Sequence, residues 1–159
     1  MPETPRPLSP KQIDRLNAKS TGTAIKWMSR AQTWIFKKTG GRFGDKFLRG
    51  AQVGILTTIG RKSGEARDSP LLYLQEGKRI VLVASQGGRA TNPMWYLNLV
   101  ANPKVKFQTK RETLELTARE ATDAERDEYW PKLDAMYADF ANYRSYTDRK
   151  IPIVICDPA

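Results

Sequence analysis

Short runs of alternating or β-branched apolar residues dominate the middle and the end of the chain, and turn residues separate them. An apolar period of two is the pattern of a half-buried strand. Glycines and charged pairs between the runs are typical of hairpin turns. Pro152, near the start of the last run, predicts an edge position for that strand. The predicted strands are 53–59, 69–74, 80–84, 105–108, 113–118 and 151–156.

Two helices are predicted before the first strand, after a loose, Pro-rich start. Ser9-Pro10 is typical of a helix start, with serine as the N-cap and proline at the first helical position, and the helix should reach Leu16. The second helix covers 23–38, where apolar residues recur every 3.6 positions, and Gly40-Gly41 should end it.

Two further helices are predicted among and after the strands. Asn92 is the expected N-cap of a helix over 94–100. Thr122 and Glu125 match the capping-box pattern and predict a helix from Thr122 to Met136.

These elements predict one mainly β domain of the α+β class. Six strands with few helices between them favour a closed or half-closed antiparallel barrel with peripheral helices. The sequence has neither the parallel, helix-alternating pattern nor the GxGxxG fingerprint of a Rossmann fold. Within 159 residues we expect a loose segment with a short helix over 1–20 and the barrel domain over 21–159.

The composition narrows the chemistry that this domain can perform. A formal net charge of +10 predicts attraction to anions, whether nucleic acid, acidic lipid or a polyanionic small molecule. The chain has no histidine, which excludes a Ser-His-Asp triad and His-ligated zinc, and no metal site is expected. The single cysteine, Cys156, lies in an apolar run and predicts a buried, unreactive thiol. One cysteine allows no internal disulfide, so we expect a protein of the reducing cytoplasm. No run approaches the ~20 apolar residues of a membrane span.

The segment Thr57 to Arg67 is the first candidate site. Gly60 and Gly64 flank Arg61, Lys62 and a serine hydroxyl in a turn between two strands. Glycines let backbone amides face a ligand, and arginine and lysine bind phosphate. A solvated basic turn explains the same spacing equally well.

Two other segments are candidates for a pocket. A glycine pair follows Ser85-Gln86 and precedes the helix that begins near Met94, whose Trp95 and Tyr96 are suited to cover a flat ring; core packing of that helix explains the period better. A later aromatic segment repeats every three residues, at Tyr137, Phe140, Tyr143 and Tyr146. It is suited either to cap a barrel end or to line a pocket with a tyrosine donor.

The helix over 23–38 presents Trp27 and Trp34 beside basic residues. This pattern fits a helix packed over a domain edge. It also fits a basic helix at an anionic membrane surface, and a peripheral contact with the inner face of the cell membrane stays open.

Taken in order, these segments resemble the deazaflavin (F420)-dependent nitroreductase family of actinobacterial oxidoreductases. The resemblance runs from Lys26 to Val154. Its most specific stretches are Leu56 to Arg67 and Asn92 to Pro103, and the motifs at 121–131 and 147–149 add to it.

The resemblance implies a six-stranded antiparallel split β-barrel, like that of FMN-binding proteins, and a reductase that passes hydride from reduced coenzyme F420 to a quinone, an enone or lactone, or a nitro compound. The coenzyme would be held through its phosphate and acidic tail by Arg61, Lys62, Ser63 and Arg67. Its ring would be lined by Asp68, Ser69, Pro70, Leu71, Leu72, Val83, Ala84, Ser85, Gln86, Met94, Trp95, Tyr96, Leu97 and Asn98. The acceptor would be bound or protonated by Trp27, Tyr137, Phe140 and Tyr143.

Two positions depart from the family pattern. Gln86 stands where close members carry lysine, so one phosphate contact should be lost. Phe140 stands where they carry tyrosine, so reduction of nitroimidazole-type compounds is less expected than reduction of quinones or enones. Two other functions fit the sequence less well: an FMN-binding split-barrel oxidoreductase, and a non-catalytic basic module for nucleic acid or lipid. No nucleic acid is expected as a partner, because no known nucleic-acid motif occurs.

Overall fold

Seven antiparallel strands form one sheet in the computed structural model, which describes residues 8–39 and 52–159. The hydrogen-bonded order of the strands is β2-β1-β5-β6-β7-β4-β3. The strands are β1 (Val53–Ile59), β2 (Ala66–Leu72), β3 (Leu74–Glu76), β4 (Arg79–Val83), β5 (Lys104–Gln108), β6 (Thr113–Glu120) and β7 (Ile153–Pro158). The mainly β fold with helices is therefore confirmed.

The predicted count of six strands is wrong, because the run 69–74 is divided at Tyr73. Residues before Tyr73 pair with β1, and residues after it pair with β4. The Tyr73 ring is buried edge-on against Phe107, with centroids 4.9 Å apart. Since β2 and β3 lie at opposite edges of the sheet but are one residue apart in the chain, the sheet has to curl until its edges approach. No pairing among the described strands closes it into a full barrel.

The predicted edge position of the last strand is also wrong. β7 lies inside the sheet, between β6 and β4. Pro152 precedes the first paired residue, so its missing N–H interrupts no ladder. Its carbonyl accepts a hydrogen bond of 2.9 Å from the backbone N–H of Ala84.

Five α-helices surround the sheet within the described ranges, and none is long and apolar enough to cross a membrane. They are α1 (Pro10–Asn17), α2 (Lys19–Lys38), α3 (Met94–Ala101), α4 (Asp123–Met136) and α5 (Asp139–Ser145). The predicted caps at Ser9 and Thr122 are confirmed, each as a complete capping box. The predicted cap at Asn92 is wrong: Pro93 takes the N-cap position, and the Asn92 side chain accepts from Arg149 instead. Residues 1–7 of the start predicted to be loose (1–9) and the predicted helix stop at Gly40-Gly41 lie outside the described residues.

The core has two hydrophobic clusters that share the sheet. One joins β1, β5 and β6 and one face of β4 and β7 to α3, and the other joins the opposite face of β4 and β7 to α4 and α5. Cys156 is fully buried, as predicted. Burial raises the pKa of its thiol to about 12, so the thiolate that reacts is not formed near neutral pH.

Candidate active site

The turn between β1 and β2, residues 60–65, is tight and is called here the basic turn. The Gly60 N–H donates to the Glu65 carbonyl and the Gly64 N–H to the Gly60 carbonyl, both at 2.8 Å. Gly64 has a φ of +72°, which glycine adopts without strain. A Cβ on Gly60 would lie 2.6 Å from Ser63 Oγ, so a side chain there would displace the Ser63 hydroxyl.

The cations of this region differ in how far the protein already engages them. Arg61 and Lys62 are exposed, and no carboxylate among the described residues pairs with either. Arg67 Nη2 instead lies 3.3 Å from Ser63 Oγ and 3.4 Å from a carboxylate oxygen of Glu65. Arg61 and Lys62 therefore have donors available for an external anion, whereas Arg67 and Ser63 hold each other.

A buried amide fastens the basic turn to α3. Asn98 is 5% exposed, and its Oδ1 accepts from the Arg61 backbone N–H at 3.1 Å. Its Nδ2 donates to Thr58 Oγ1 at 3.3 Å. Asn98 was predicted to contact the coenzyme ring; the structure gives its side chain these two protein partners, and the ring contact stays a prediction.

The other residues predicted on α3 separate into buried and open positions. Trp95 packs in the core, and Met94 is exposed. Leu97 and Tyr96 are half-buried, and the Tyr96 hydroxyl donates to Glu120 at 3.4 Å. Only part of this predicted wall thus faces outward.

The predicted lining on β2 begins with an anchored carboxylate. Asp68 accepts from Thr57 Oγ1 at 2.5 Å and forms an ion pair with Lys37 of α2. This pair fixes the C-terminal end of α2 beside β2. The following residues, Ser69 to Leu72, are half-buried along the strand.

The end of β4 carries the second predicted lining, and Val83, Ala84 and Ser85 are all buried. Gln86 has a φ of +48°, which side-chain-bearing residues rarely adopt. With its carboxamide oriented as the neighbours require, the amide donates to the Thr91 carbonyl at 2.8 Å and accepts from Arg89 Nη1 at 3.2 Å. Its side chain therefore holds the following loop.

Gly88 joins this segment to the aromatic one. Its φ is +82°, and a Cβ there would lie 2.8 Å from both the Tyr143 carbonyl oxygen and Tyr146 Cδ2. The chain after β4 therefore rests directly on the backbone of α5.

The rings of the aromatic segment form a continuous series of edge-on and tilted contacts, in which Tyr137 and Tyr146 lie outside α5. Neighbouring rings from Tyr137 to Tyr146 have centroids 5.2 to 6.3 Å apart. Tyr137 and Phe140 are buried, and Tyr143 and Tyr146 are half-buried. The Tyr137 and Tyr143 hydroxyls are 3.2 Å apart. Burial, and next the hydrogen bond with Tyr143, raise the pKa of Tyr137 well above its ordinary value, so it stays protonated.

Trp27, predicted to contact the acceptor, lies on an outward face of α2 and is 64% exposed. The Arg30 guanidinium lies 5.3 Å from its ring centroid. Met28 and Trp34 are exposed on the same helix, which leaves a large apolar area in contact with solvent.

The fold thus brings some predicted residues together through partners that the sequence did not reveal. Asn98 links α3 to the basic turn, and Gly88 links β4 to the aromatic segment. Arg149 belongs to a predicted motif but had no predicted role. Its signal is weak because its partners lie 57 to 65 positions away in sequence.

Comparisons with known proteins identify the family of this chain. Residues 27–158 match the model of the F420H(2)-dependent quinone reductase family. The F420H(2)-dependent quinone reductase Rv1261c of Mycobacterium tuberculosis is 32% identical over 124 residues, which are 76% of this chain and 83% of that protein. A second M. tuberculosis protein, provisionally assigned the same activity, is 37% identical over 117 residues, 74% of this chain and 98% of the relative. A solved F420-H2-dependent reductase is 39% identical with a TM-score of 0.62, covering 66% of this chain and 93% of its own.

This chain belongs to the F420H(2)-dependent quinone reductase family. It is an oxidoreductase, and its cofactor is coenzyme F420, so both sequence-based expectations are confirmed. The residues present fit such a cofactor, because a phosphodiester with an acidic tail needs the kind of unpaired cations that Arg61 and Lys62 supply on a glycine turn.

Proposed function

We propose that this chain reduces quinones, and with them enones or lactones, and that the basic turn anchors its coenzyme. The observation that carries the proposal is the pair of exposed cations, Arg61 and Lys62. They lie on a turn that the buried Asn98 side chain fixes by accepting from the Arg61 backbone N–H. Family membership supports the same reaction. Neither an FMN site nor a nucleic-acid site is favoured by the comparisons.

Arg61 and Lys62 bind the phosphate and the acidic tail, and Arg67 with Ser63 completes the anion site. Each cation makes charge-assisted hydrogen bonds, which are stronger than neutral ones. The segments 68–72 and 83–86 run along the ring, and 94–98 closes the far side. We also propose that the curled sheet is a split barrel, with the ring in its opening.

When bound, reduced coenzyme F420 supplies the hydride. The protein binds, orients and keeps a proton near the acceptor. Tyr143 is half-buried and contacts the acceptor through its hydroxyl. Tyr137 is fully buried, stays protonated and holds the Tyr143 hydroxyl by the 3.2 Å contact. A proton at Tyr143 Oη is thus placed for an oxygen that gains negative charge.

Phe140 and Trp27 shape the acceptor side. Phe140 is buried between the two tyrosines and offers no hydroxyl. A nitro group, which needs several protons, therefore loses a donor there, while a quinone or enone oxygen keeps Tyr143. We expect the order of rates to be quinone and enone before nitro compound.

The direct test is a fluorescence titration of coenzyme F420 with the protein, followed by turnover. Quenching should saturate at micromolar protein, and reduced coenzyme should then be consumed on addition of a quinone such as menadione. Absence of quenching would overturn the coenzyme site. Quenching with nitroaromatic turnover faster than quinone turnover would overturn the proposed substrate order.

We further propose that the enzyme is cytoplasmic and contacts an anionic membrane surface through α2. Trp34 is 63% exposed and Lys38 lies 5.4 Å from its ring centroid, which is the combination of ring and cation that interfacial helices use. Vesicles containing phosphatidylglycerol should pull down the protein, and vesicles of phosphatidylcholine alone should not. A Trp34→Ala, Ile35→Ala double variant should lose this binding, whereas Val100→Ala, at an exposed apolar position on α3, should keep it. Equal binding to both vesicles would contradict an electrostatic contact.

A further inference from the structure

Arg149 makes an unusually complete set of hydrogen bonds for a residue outside any helix or strand. It lies between α5 and β7. Its Nε donates to the Arg89 carbonyl at 2.9 Å, and its Nη1 donates to Asn92 Oδ1 at 2.8 Å. Its Nη2 donates to two successive carbonyls, Ala84 at 3.1 Å and Ser85 at 2.8 Å.

All four acceptors are neutral oxygens. Burial lowers the pKa of Arg149 from its ordinary value, but a guanidinium keeps its charge in proteins. A partly buried cation without a carboxylate is costly to desolvate. The planar guanidinium has N–H groups that point in several directions, so it can bond to all four of these separated oxygens, which a lysine ammonium could not. The role of Arg149 is therefore to position the segments that carry these oxygens, rather than to neutralise a charge.

The geometry that Arg149 fixes is that of the two peptide units after β4. Each trans peptide places its N–H opposite its carbonyl. With the Ala84 and Ser85 carbonyls turned toward Arg149, the N–H groups of Ser85 and Gln86 must face away from it. Neither N–H donates to an acceptor within the described part of the chain.

The same contacts hold a strained backbone. Gln86 is the one residue other than glycine with a positive φ in the ranges that the structure describes. Such conformations persist only where their surroundings fix them, and they cluster at ligand sites. Here Arg149 holds the residue before Gln86 and, through Arg89 and Asn92, the loop that receives the Gln86 side chain.

We propose that Arg149 is a positioning residue for the coenzyme: it sets residues 84–86 so that the Ser85 and Gln86 N–H groups meet the bound ring. Arg149 itself does not touch the coenzyme. The inference rests on the proposed coenzyme site and adds to it the residue that shapes its β4 side.

The test compares Arg149→Gln and Arg149→Lys with Arg79→Gln. Arg79 is the first residue of β4 and donates two hydrogen bonds to Asp157 and one to Tyr129. The Arg79→Gln variant is therefore a control that removes a similar number of hydrogen bonds at the other end of the strand. Each protein is titrated with coenzyme F420 by fluorescence. Arg149→Gln should raise the coenzyme Kd at least tenfold, and Arg79→Gln should leave it within twofold. Arg149→Lys should fall between, because a point charge replaces only some contacts, and it serves as the test variant if Arg149→Gln fails to fold.

The amide chemical shifts of Ser85 and Gln86 give a second measurement, which a general loss of stability would not change. In ¹⁵N-labelled unaltered protein, coenzyme F420 should shift the resonances of Ser85 and Gln86; at saturation in Arg149→Lys these shifts should be smaller. The inference is overturned if Arg149→Lys and folded Arg149→Gln both bind within twofold of the unaltered chain, or if Arg79→Gln weakens binding as much. An unaltered chain that binds no coenzyme would overturn the coenzyme site itself, and this inference with it.

Discussion

Arginine has opposite roles in the basic turn and in the segment that follows β4. Arg61 is exposed, and no carboxylate of the described residues pairs with it. Arg149 is partly buried, and four oxygens of the protein accept from four of its five N–H donors. A cation whose donors face solvent can bind a ligand anion, whereas a cation whose donors are mostly taken by the protein acts by shaping the protein around a ligand. The difference suggests that the basic turn supplies affinity and the β4 segment supplies geometry.

Gly88→Ala should give the largest effect, because the added Cβ would overlap Tyr143 and Tyr146 where the segment after β4 contacts α5. A left-handed backbone costs a residue with a Cβ about 1–2 kcal/mol, and forced overlap adds about 1–3 kcal/mol. We expect the free energy of unfolding to fall by about 3 kcal/mol in urea titrations, and acceptor KM to rise as α5 shifts. Gly64→Ala and Gly77→Ala are matched controls, since both have positive φ but open space at the Cβ, and each should cost about 1 kcal/mol. An equal loss in all three would show that Gly88 is not a packing contact.

Removing the cations of the basic turn should weaken coenzyme binding without loss of stability. We expect Arg61→Ala, Lys62→Ala to raise the coenzyme Kd ten- to a hundredfold, about 1.4–2.7 kcal/mol, because two charge-assisted contacts disappear. The Lys110→Ala, Arg111→Ala variant lowers the net charge equally, but on the β5–β6 hairpin. It should change Kd less than twofold. If both variants weaken binding alike, the net charge of the protein attracts the coenzyme and the turn does not.

Features that depend on residues close together in the sequence were predicted correctly. The helix caps at Ser9 and Thr122, the hairpins and the contacts among the regularly spaced aromatic residues all depend on residues within a few positions of one another, and the structure contains each of them. The basic turn was likewise visible as two glycines around two cations. Its assignment to a coenzyme needed the family resemblance, because a solvated turn has the same spacing.

The sequence missed what depends on long-range contacts. The division of the run 69–74 at Tyr73 follows from the curl of the sheet, which no local period records. Asn92 has the residue type of an N-cap, but Arg149, 57 positions later, takes its side chain. The interior position of β7 was missed for the same reason. Pro152 cannot donate a backbone hydrogen bond, but it lies just before the first paired residue of β7, so the strand can still pair on both sides.

Asn98 fixes the backbone of the basic turn to α3, and its replacement should give an intermediate effect. Its amide holds both the Arg61 backbone N–H and Thr58 Oγ1. We expect Asn98→Ala to lower the free energy of unfolding by about 1 kcal/mol and to raise the coenzyme Kd a few-fold, because the turn loses its support. Thr58→Val removes only the hydroxyl that accepts from Asn98 Nδ2 and keeps the bond from the Arg61 N–H, so it should cost similar stability but leave Kd unchanged. A rise in Kd with Thr58→Val would show that binding follows stability and not the position of the turn.

Acidification should lower the contribution to stability of Arg119, which is paired with a carboxylate, but not that of Arg149, whose acceptors are neutral. The expected change in the free energy of unfolding is the smallest of the series. Arg119 holds Glu125 of the α4 capping box by contacts of 2.7 and 2.9 Å. This pair, with the Thr122 backbone bond, lowers the pKa of Glu125 to about 2 from 4.5. A lowered folded-state pKa gives stability that is present above about pH 4.5 and is lost as the pH falls toward 2.

The full shift would correspond to about 3.4 kcal/mol, but Arg119 is 45% exposed and solvent screening leaves about 1 kcal/mol. We expect the unaltered protein to exceed Glu125→Gln by about that amount in urea unfolding at pH 7, and the gap to shrink steadily as the pH falls from 4.5 toward 2. The gap between the unaltered protein and Arg149→Lys should instead stay constant over this range, because carbonyl and amide acceptors do not titrate there. A gap for Arg149→Lys that closed with acid would mean that a carboxylate supports Arg149, and the contrast between the two arginines would then fail.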